Sequence, residues 1–184
     1  LLYFLLCFGL QSKAQTFWAQ SSGGNNVDEA MDVCQNAAGD TYVTGYFTNN
    51  ALFDNLNMAS ASAGVPDGFI YKTNASGQLL WVKKFGGIGT DRGIALKVDA
   101  NGDVIVCGYY YGTATFGNIT LNSVGGSQDV FVAKIDPSGN FLWVKSMGGN
   151  LTDIPSAVAI DLNNDIILTG SFQGTASFGA SLFT

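Results

Sequence analysis

The chain repeats itself with a period of 62 or 63 residues, and this period constrains its fold more than any other feature. Trp18 and Trp81 are 63 residues apart, and Trp81 and Trp143 are 62 apart. Three further sets of residues keep the same spacing: Asp28, Asp91 and Asp153; Gly45, Gly108 and Gly170; Phe53, Phe116 and Phe178. A fixed period of this kind is typical of propellers, solenoids and tandem arrays. The chain is therefore expected to consist of copies of one supersecondary unit.

Each copy contains four strand-like runs joined by turn residues. In the second copy these runs are 94–99, 103–110, 129–136 and 140–147. Val, Ile, Phe, Tyr and Trp dominate the runs, and Asn, Gly, Asp and Pro fill the gaps, as in strands joined by tight hairpins. Runs such as VIVCG and IILTG are apolar at consecutive positions, so both faces of their sheet need cover.

These observations predict an all-β fold, a β-propeller of four-stranded antiparallel blades, of which the chain holds an incomplete arc of about two and a half. A solenoid is the competing architecture, although its coils are usually shorter than this period. The predicted divisions are a signal peptide at 1–14, an N-terminal strand at 15–25, and blades at 26–88, 89–150 and 151–184. The strand at 15–25 aligns with the last strand of a copy, so it is expected to complete the closing blade of a ring. Because a ring needs roughly four to eight blades, further blades are expected downstream.

The N-terminus has the pattern of an export signal. Residues 1–10 form an apolar run that is too short to span a bilayer as a helix. Small residues, Ser12 and Ala14, then occupy the two positions that a signal peptidase reads. The pattern predicts cleavage after Ala14 and a secreted or outer-surface protein with no transmembrane segment in the mature chain. The alternative is a buried N-terminal strand or helix.

Three cysteines are present, and Cys7 lies within the predicted signal without the small residues of a lipobox before it. Cys34 and Cys107 occupy different positions in the repeat, which gives no repeated disulfide framework or metal site. Two buried thiols are the favoured interpretation, and a single disulfide between them is the open alternative.

Composition excludes several classes of function. The net charge is −6 and no run of Lys or Arg occurs, whereas a nucleic-acid-binding protein needs a basic surface. Histidine is absent, which argues against His-dependent hydrolases and metalloproteases within these residues. No phosphate-binding loop or nucleophile elbow is present. The chain is predicted to be non-enzymatic, with no catalytic residues and no cofactor.

Calcium is the one metal that the sequence suggests. Oxygen-bearing residues alternate in two places, at Asp99, Asn101 and Asp103 and at Asp161, Asn163 and Asp165. An EF-hand is excluded, because Val104 and Tyr110 stand where that loop needs Gly and Glu. Hairpin turns in which these side chains accept backbone hydrogen bonds are the favoured interpretation.

Three other features of the sequence are repeated or unusual, and each has a predicted role. The aspartates at 28, 91 and 153 follow each Gly-Gly pair, and their recurrence predicts a structural role, such as capping the turn between blades. The segment 112–117 recurs at 174–179 and is interpreted as an Ω-like loop plugged by its Phe, with a ligand loop as the alternative. The tyrosines at 109–111 could stack on sugars, but packing between blades is the favoured use.

The motifs GTDRGIALKVDANGDVIVCGYYYGTATFG and SQDVFVAKIDPSGNFLWVKSMGG resemble the bacterial β-propeller repeat called SBBP. The resemblance covers residues 17–184 and is greatest to the long version in secreted and cell-surface proteins of Bacteroidetes-type bacteria. It implies a propeller of about seven blades and a C-terminal sorting domain. It implies no catalytic residues, because the family has no common reaction. The first copy departs from the motif, with Asn36 in place of Asp99 and Asn74 in place of Asp136.

The sequence therefore predicts a secreted or cell-surface β-propeller repeat protein that acts as a binding or scaffold module. Its expected partner is an extracellular protein or a polysaccharide. One alternative is a propeller-based polysaccharide lyase or hydrolase, whose active site would need blade-specific carboxylate, Arg or Tyr side chains in further blades. Another is a passive spacer in a large adhesin, which would bind no ligand.

Overall fold

The structure is a computed structural model that describes residues 21–184. The predicted signal peptide, Cys7, Trp18 and most of the predicted strand at 15–25 lie outside the described residues. Within 21–184 every regular element is a strand, which confirms the all-β prediction. The strands are β1 Ser22–Gly24, β2 Glu29–Gln35, β3 Thr41–Thr48, β4 Asn50–Phe53, β5 Leu56–Ala59, β6 Pro66–Thr73, β7 Leu79–Gly87, β8 Arg92–Val98, β9 Val104–Tyr111, β10 Thr113–Phe116, β11 Ile119–Asn122, β12 Gln128–Ile135, β13 Phe141–Gly149, β14 Ile154–Ile160, β15 Ile166–Ser171, β16 Ala176–Phe178 and β17 Ser181–Phe183.

Each repeat is an antiparallel meander, in which every strand of the meander pairs with the next one. The first repeat has the order β2-β3-β6-β7, the second has β8-β9-β12-β13, and the third begins with the hairpin β14-β15. In this arrangement β2 and β6 start at the end of the sheet where β3 and β7 finish. We call this the junction end, because the chain leaves β7 there and enters the next repeat.

The prediction of an Ω-like loop at 112–117 is wrong, because this segment forms β10, the first strand of a β-hairpin that β11 completes. β10 and β11 pair with each other, and β10 also pairs with β7 of the preceding repeat, with Ala114 opposite Gly87. The alternation of buried Ala114 and Phe116 with exposed Thr113 and Thr115 is the period-2 pattern of a strand. The hairpins β4-β5 and β16-β17 pair in the same way with β1 and β13. The hairpin of each repeat therefore extends the sheet of the repeat before it.

The sheets pack face to face, as expected for strands that are apolar on both faces. β8 contacts β2, β3 and β6 of the first repeat, and β14 contacts β8, β9 and β12 of the second. The main core joins Tyr42 and Ile70 of the first repeat to Leu96, Val106 and Phe131 of the second. Burying such side chains is the principal force that holds one sheet against the next. This stacking is consistent with a β-propeller-like fold.

The recurring glycine of each second strand is required by the strand beside it. A Cβ atom on Gly45 would lie 1.9 Å from the carbonyl oxygen of Glu29, and one on Gly108 would lie 1.9 Å from that of Arg92. At Gly170 the corresponding distance to the oxygen of Ile154 is 2.4 Å. The pairing register shifts just after this contact in all three repeats, as at a β-bulge. The bulge brings the neighbouring backbone so close that only glycine fits.

Both cysteines within 21–184 are free thiols, so the alternative of a disulfide is wrong for this structure. Burial raises the pKa of Cys107 to about 12 and that of Cys34 to about 11. A high pKa keeps a thiol protonated and unreactive at neutral pH.

Candidate functional site at the junctions between repeats

One aspartate holds each junction by accepting hydrogen bonds from two successive repeats. Asp91 Oδ2 accepts from the N–H of Gly87 at 2.7 Å, and Oδ1 accepts from the N–H of Tyr111 at 3.2 Å. Equivalent bonds join Asp153 to Gly149 and Gln173, at 2.8 and 3.1 Å, and Asp28 to Gly24 and Thr48, at 2.5 and 3.0 Å. The recurring aspartates therefore fasten the end of one repeat to the second strand of the next.

A second buried aspartate faces the first at two of the junctions. Asp67 lies beside Asp91, and Asp129 lies beside Asp153; all four side chains are fully buried. Between each pair is a glycine with positive φ, Gly86 at 135° and Gly148 at 153°. A Cβ atom on Gly86 would lie 2.7 Å from Asp91 Oδ2 and 3.0 Å from Asp67 Oδ1. These glycines are needed both for their φ and for the room they leave between two carboxyl groups.

Three of these carboxyl groups, those of Asp67, Asp91 and Asp129, have a raised pKa and hold their protons more tightly than exposed aspartates do. Burial, together with the charge of Asp67, raises the pKa of Asp91 to about 7, against the opposing effect of hydrogen bonds from Gly87 and Tyr111. Burial and the charge of Asp153 raise the pKa of Asp129 to about 6. Burial also raises the pKa of Asp67. Desolvation dominates all three shifts, because a buried carboxylate loses its hydration.

We expect the stability of the chain to fall as the pH rises from about 4 to about 7, because the folded state binds Asp91's proton more tightly than the unfolded state. Asp91→Asn removes this titration and should make the fall with pH shallower. The urea midpoint measured from pH 4 to pH 8 checks this. Asp54→Asn, at an exposed turn, is the control and should keep the wild-type slope. An unchanged slope in Asp91→Asn would contradict the expectation.

The residues considered for calcium form hairpin turns at the opposite end of the sheets. Asp99 Oδ1 accepts hydrogen bonds from the N–H groups of Asn101 and Asp103, at 2.8 and 3.0 Å. The ammonium group of Lys134 lies 2.7 Å from Asp99 Oδ2 and 3.1 Å from Asp103 Oδ2, so a cation already contacts both carboxylates. The same type of turn is formed by Asp161 with Asn163 and Asp165, and by Asn36, Asn74 and Asp136. Asn36 and Asn74, which stand where the second repeat has Asp99 and Asp136, therefore keep the same turn chemistry.

Other repeat markers pack between the sheets. Phe116 is fully buried, with its ring stacked on Phe85 at 5.2 Å. The Trp81 indole N–H donates to the carbonyl oxygen of Pro137 in the next repeat at 3.0 Å. The remaining markers inside 21–184 are placed similarly: Phe53 is buried, Phe178 is half-buried, and Trp143 packs against the cluster of Ile105 and Val158.

Two of the three consecutive tyrosines are packing residues. Tyr110 is fully buried, and its hydroxyl lies 2.6 Å from Ser146 Oγ. Tyr109 is 8% exposed, whereas Tyr111 is 44% exposed at the junction end. Only Tyr111 is accessible enough to contact a partner.

One cluster was missed from the sequence because its residues break the repeat. Glu29 and Arg92 occupy the same repeat position, as do Tyr46 and Tyr109. The Arg92 guanidinium lies 3.9 Å from the centre of the Tyr46 ring, and the Tyr46 hydroxyl donates to Glu29 at 2.5 Å. The sequence feature that marks this cluster is a change of residue type at one repeat position, which holds Glu29, Arg92 and Ile154 in the three repeats. These side chains are engaged with one another, so their contacts account for the cluster as packing between repeats.

Each junction loop also exposes one large aliphatic side chain. Val27, Ile88 and Leu151 are 67%, 76% and 51% exposed, and Tyr111 and Val124 are half-exposed at the same end. We call these five residues the junction rim. The loops 24–28, 87–91 and 149–153 contain no charged side chain except the recurring aspartate that ends each loop. The junction rim is therefore apolar and almost uncharged.

Comparison with known proteins identifies a distant relative. The chain is 29% identical over 118 residues to the uncharacterized WD repeat-containing protein L264 of Acanthamoeba polyphaga mimivirus. The match covers 53% of this chain but only 8% of that protein. No family profile matches the chain. Together with the stacked antiparallel sheets, the similarity indicates a repeat protein of β-propeller-like type. Separately, residues 21–184 contain no helix that could cross a membrane.

Proposed function

We propose that the chain is part of a secreted or cell-surface SBBP-type β-propeller protein that acts as a scaffold and binds an extracellular protein through the junction rim. The observation that carries this proposal is the exposed aliphatic side chain in each of the three junction loops that the structure describes. Export rests on residues 1–14, and bacterial origin rests on the repeat motif. The enzymatic and passive-spacer alternatives receive no comparable support.

Rigid support makes the rim suitable for binding. The recurring aspartates accept hydrogen bonds from the backbone of two repeats, so the loops that they end are ordered before a partner binds. A preorganised surface loses less conformational entropy on association than a mobile one. Stacked repeats would thus present Val27, Ile88 and Leu151 on fixed supports, with successive loops available to a large partner.

The chemistry of the rim favours a protein over a polysaccharide. The centre of a protein interface is depleted of charged residues and enriched in apolar and aromatic ones. Val27, Ile88 and Leu151 are exposed aliphatic residues, and their loops lack Lys, Arg and Glu. Sugars instead pack against aromatic rings, and Tyr111 is the one exposed aromatic side chain of the rim.

A photo-crosslinking amino acid at position 88 tests the proposal in the native host. We expect a crosslinked adduct of discrete mass that contains a second protein, because Ile88 is the most exposed rim residue at 76%. The additional substitution Leu151→Ser should reduce the adduct several-fold without changing the melting temperature.

The matched control places the same crosslinker at Leu80, which is 49% exposed on β7 but lies outside the rim. Equal adducts from positions 80 and 88 would contradict rim-specific binding. Rim-dependent binding to a glycan array, with no protein adduct, would instead identify a polysaccharide partner.

A further inference from the structure

The two described carboxyl pairs differ in the positive charge beside them. At the first junction the ammonium group of Lys84 lies 3.4 Å from Asp67 Oδ2. Ser146 occupies the equivalent repeat position at the second junction. Among the ion pairs within residues 21–184, none includes Asp129 or Asp153. The second pair is therefore two buried carboxyl groups for which the described chain supplies no cation.

One oxygen of each carboxyl group of this pair lies close to Gly148, on the side where a side chain would begin. A Cβ atom on Gly148 would lie 2.7 Å from Asp129 Oδ1 and 2.8 Å from Asp153 Oδ2. Asp129 is fully buried, and its Oδ1 has no hydrogen-bond partner among the described residues. Asp129 Oδ2, in contrast, accepts from the N–H of Val124 at 2.9 Å. One buried carboxylate oxygen is thus unsatisfied at each of the two junctions, Asp67 Oδ1 at the first and Asp129 Oδ1 at the second, but an ion pair with a lysine is present only at the first.

A cation would remove the cost of this arrangement. A buried carboxylate is strongly unfavourable unless it is paired with positive charge, and two facing carboxylates also repel each other. Both side-chain donors are carboxylate oxygens, which bind hard divalent cations such as Ca²⁺. No group of three or more His, Cys, Asp or Glu side chains suited to a metal occurs in the described part of the chain. The other ligands would accordingly be backbone carbonyl groups and water.

We propose that the Asp129–Asp153 junction binds a divalent cation of the calcium type through Asp129 Oδ1 and Asp153 Oδ2. Lys84 supplies the positive charge at the first junction, and the metal supplies it at the second. This site is separate from the turns at 99–103 and 161–165 and does not depend on the junction rim. Its role is to lock the second repeat to the third.

Thermal unfolding of the chain in chelator and in CaCl₂ tests the proposal. Because the cation binds only the folded state, the midpoint should rise by about 5 °C or more when free Ca²⁺ is a hundredfold above its dissociation constant. Isothermal titration should give one Ca²⁺ per chain. If Ca²⁺, Mg²⁺ and Mn²⁺ all leave the midpoint unchanged, the proposal is wrong and a shared proton occupies the pair.

Reciprocal substitutions at the two junctions provide matched controls. Ser146→Lys should abolish the response to Ca²⁺, because it brings to the second junction the ammonium group found at the first. Lys84→Ser should create a second binding event at Asp67 and Asp91. Asp129→Asn should eliminate Ca²⁺ binding, whereas Asp161→Asn should leave it intact. Loss of binding in Asp161→Asn, with retention in Asp129→Asn, would move the metal to the turn and overturn the proposal.

Discussion

Replacing Gly108 by alanine is expected to destabilise the chain by about 3 kcal/mol or more. The new Cβ atom would lie 1.9 Å from the carbonyl oxygen of Arg92 and 2.6 Å from a ring carbon of Phe131. Both contacts are far inside van der Waals separation. Neither neighbour can retreat easily, since one is backbone at a β-bulge and the other is a fully buried ring. Urea unfolding followed by tryptophan fluorescence measures the loss.

Gly126→Ala is the matched control for this prediction. Gly126 has a φ of 69°, and a Cβ atom there would meet no atom within 4 Å. Alanine at this position should cost only the left-handed backbone penalty, about 1 kcal/mol. If Gly108→Ala were no more destabilising than Gly126→Ala, the close approach of β8 and β9 would not explain the repeated glycine.

Phe116→Ala is expected to destabilise the chain by about 3–5 kcal/mol, the usual cost of deleting a buried aromatic ring. The ring of Phe116 is fully buried and lies 5.2 Å from that of Phe85, 4.7 Å from that of Phe131 and 5.8 Å from that of Phe141. Phe85 belongs to the first repeat and the other two belong to the second. The cavity would therefore open between repeats, where backbone pairing on both sides limits collapse.

Phe183→Ala offers a control with the same change in side-chain volume. Phe183 is 47% exposed in β17, so its truncation should cost only about 1 kcal/mol. Chemical unfolding of both variants under the same conditions gives the comparison. Similar losses at 116 and 183 would show that the β10-β11 hairpin does not seal the contact between repeats.

Much of the architecture follows from local pattern. The spacing of Trp81 and Trp143, the Gly and Asn turn residues, and the apolar runs predict the meander of each repeat. The structure shows that meander, with strand bounds shifted by one or two residues from those expected. Even the hairpin at 113–122 had a local signal, since Ala114 and Phe116 alternate with threonines. It was interpreted as a loop because small residues and glycines surround it.

The junction was only partly visible in the sequence. The recurrence of Asp28, Asp91 and Asp153 predicts a structural role at the turn between repeats, and the observed hydrogen bonds are compatible with that prediction. Nothing local shows that Asp67 would face Asp91. The two residues are 24 positions apart in the chain, and only the return of β7 beside β6 brings their carboxyl groups together. The cluster of Glu29 and Arg92 likewise depends on one sheet stacking against another.

The periodic pattern alone was sufficient to specify strands, turns and buried faces, because these depend on neighbouring residues and on the hydrophobic effect. Long-range packing decided which strand each hairpin joins, which carboxyl groups are buried together and which side chains remain on the junction rim. These outcomes depend on contacts between residues far apart in the chain. The pairing of β10 with β7 is an example, because it forms only when the sheets of two repeats lie side by side.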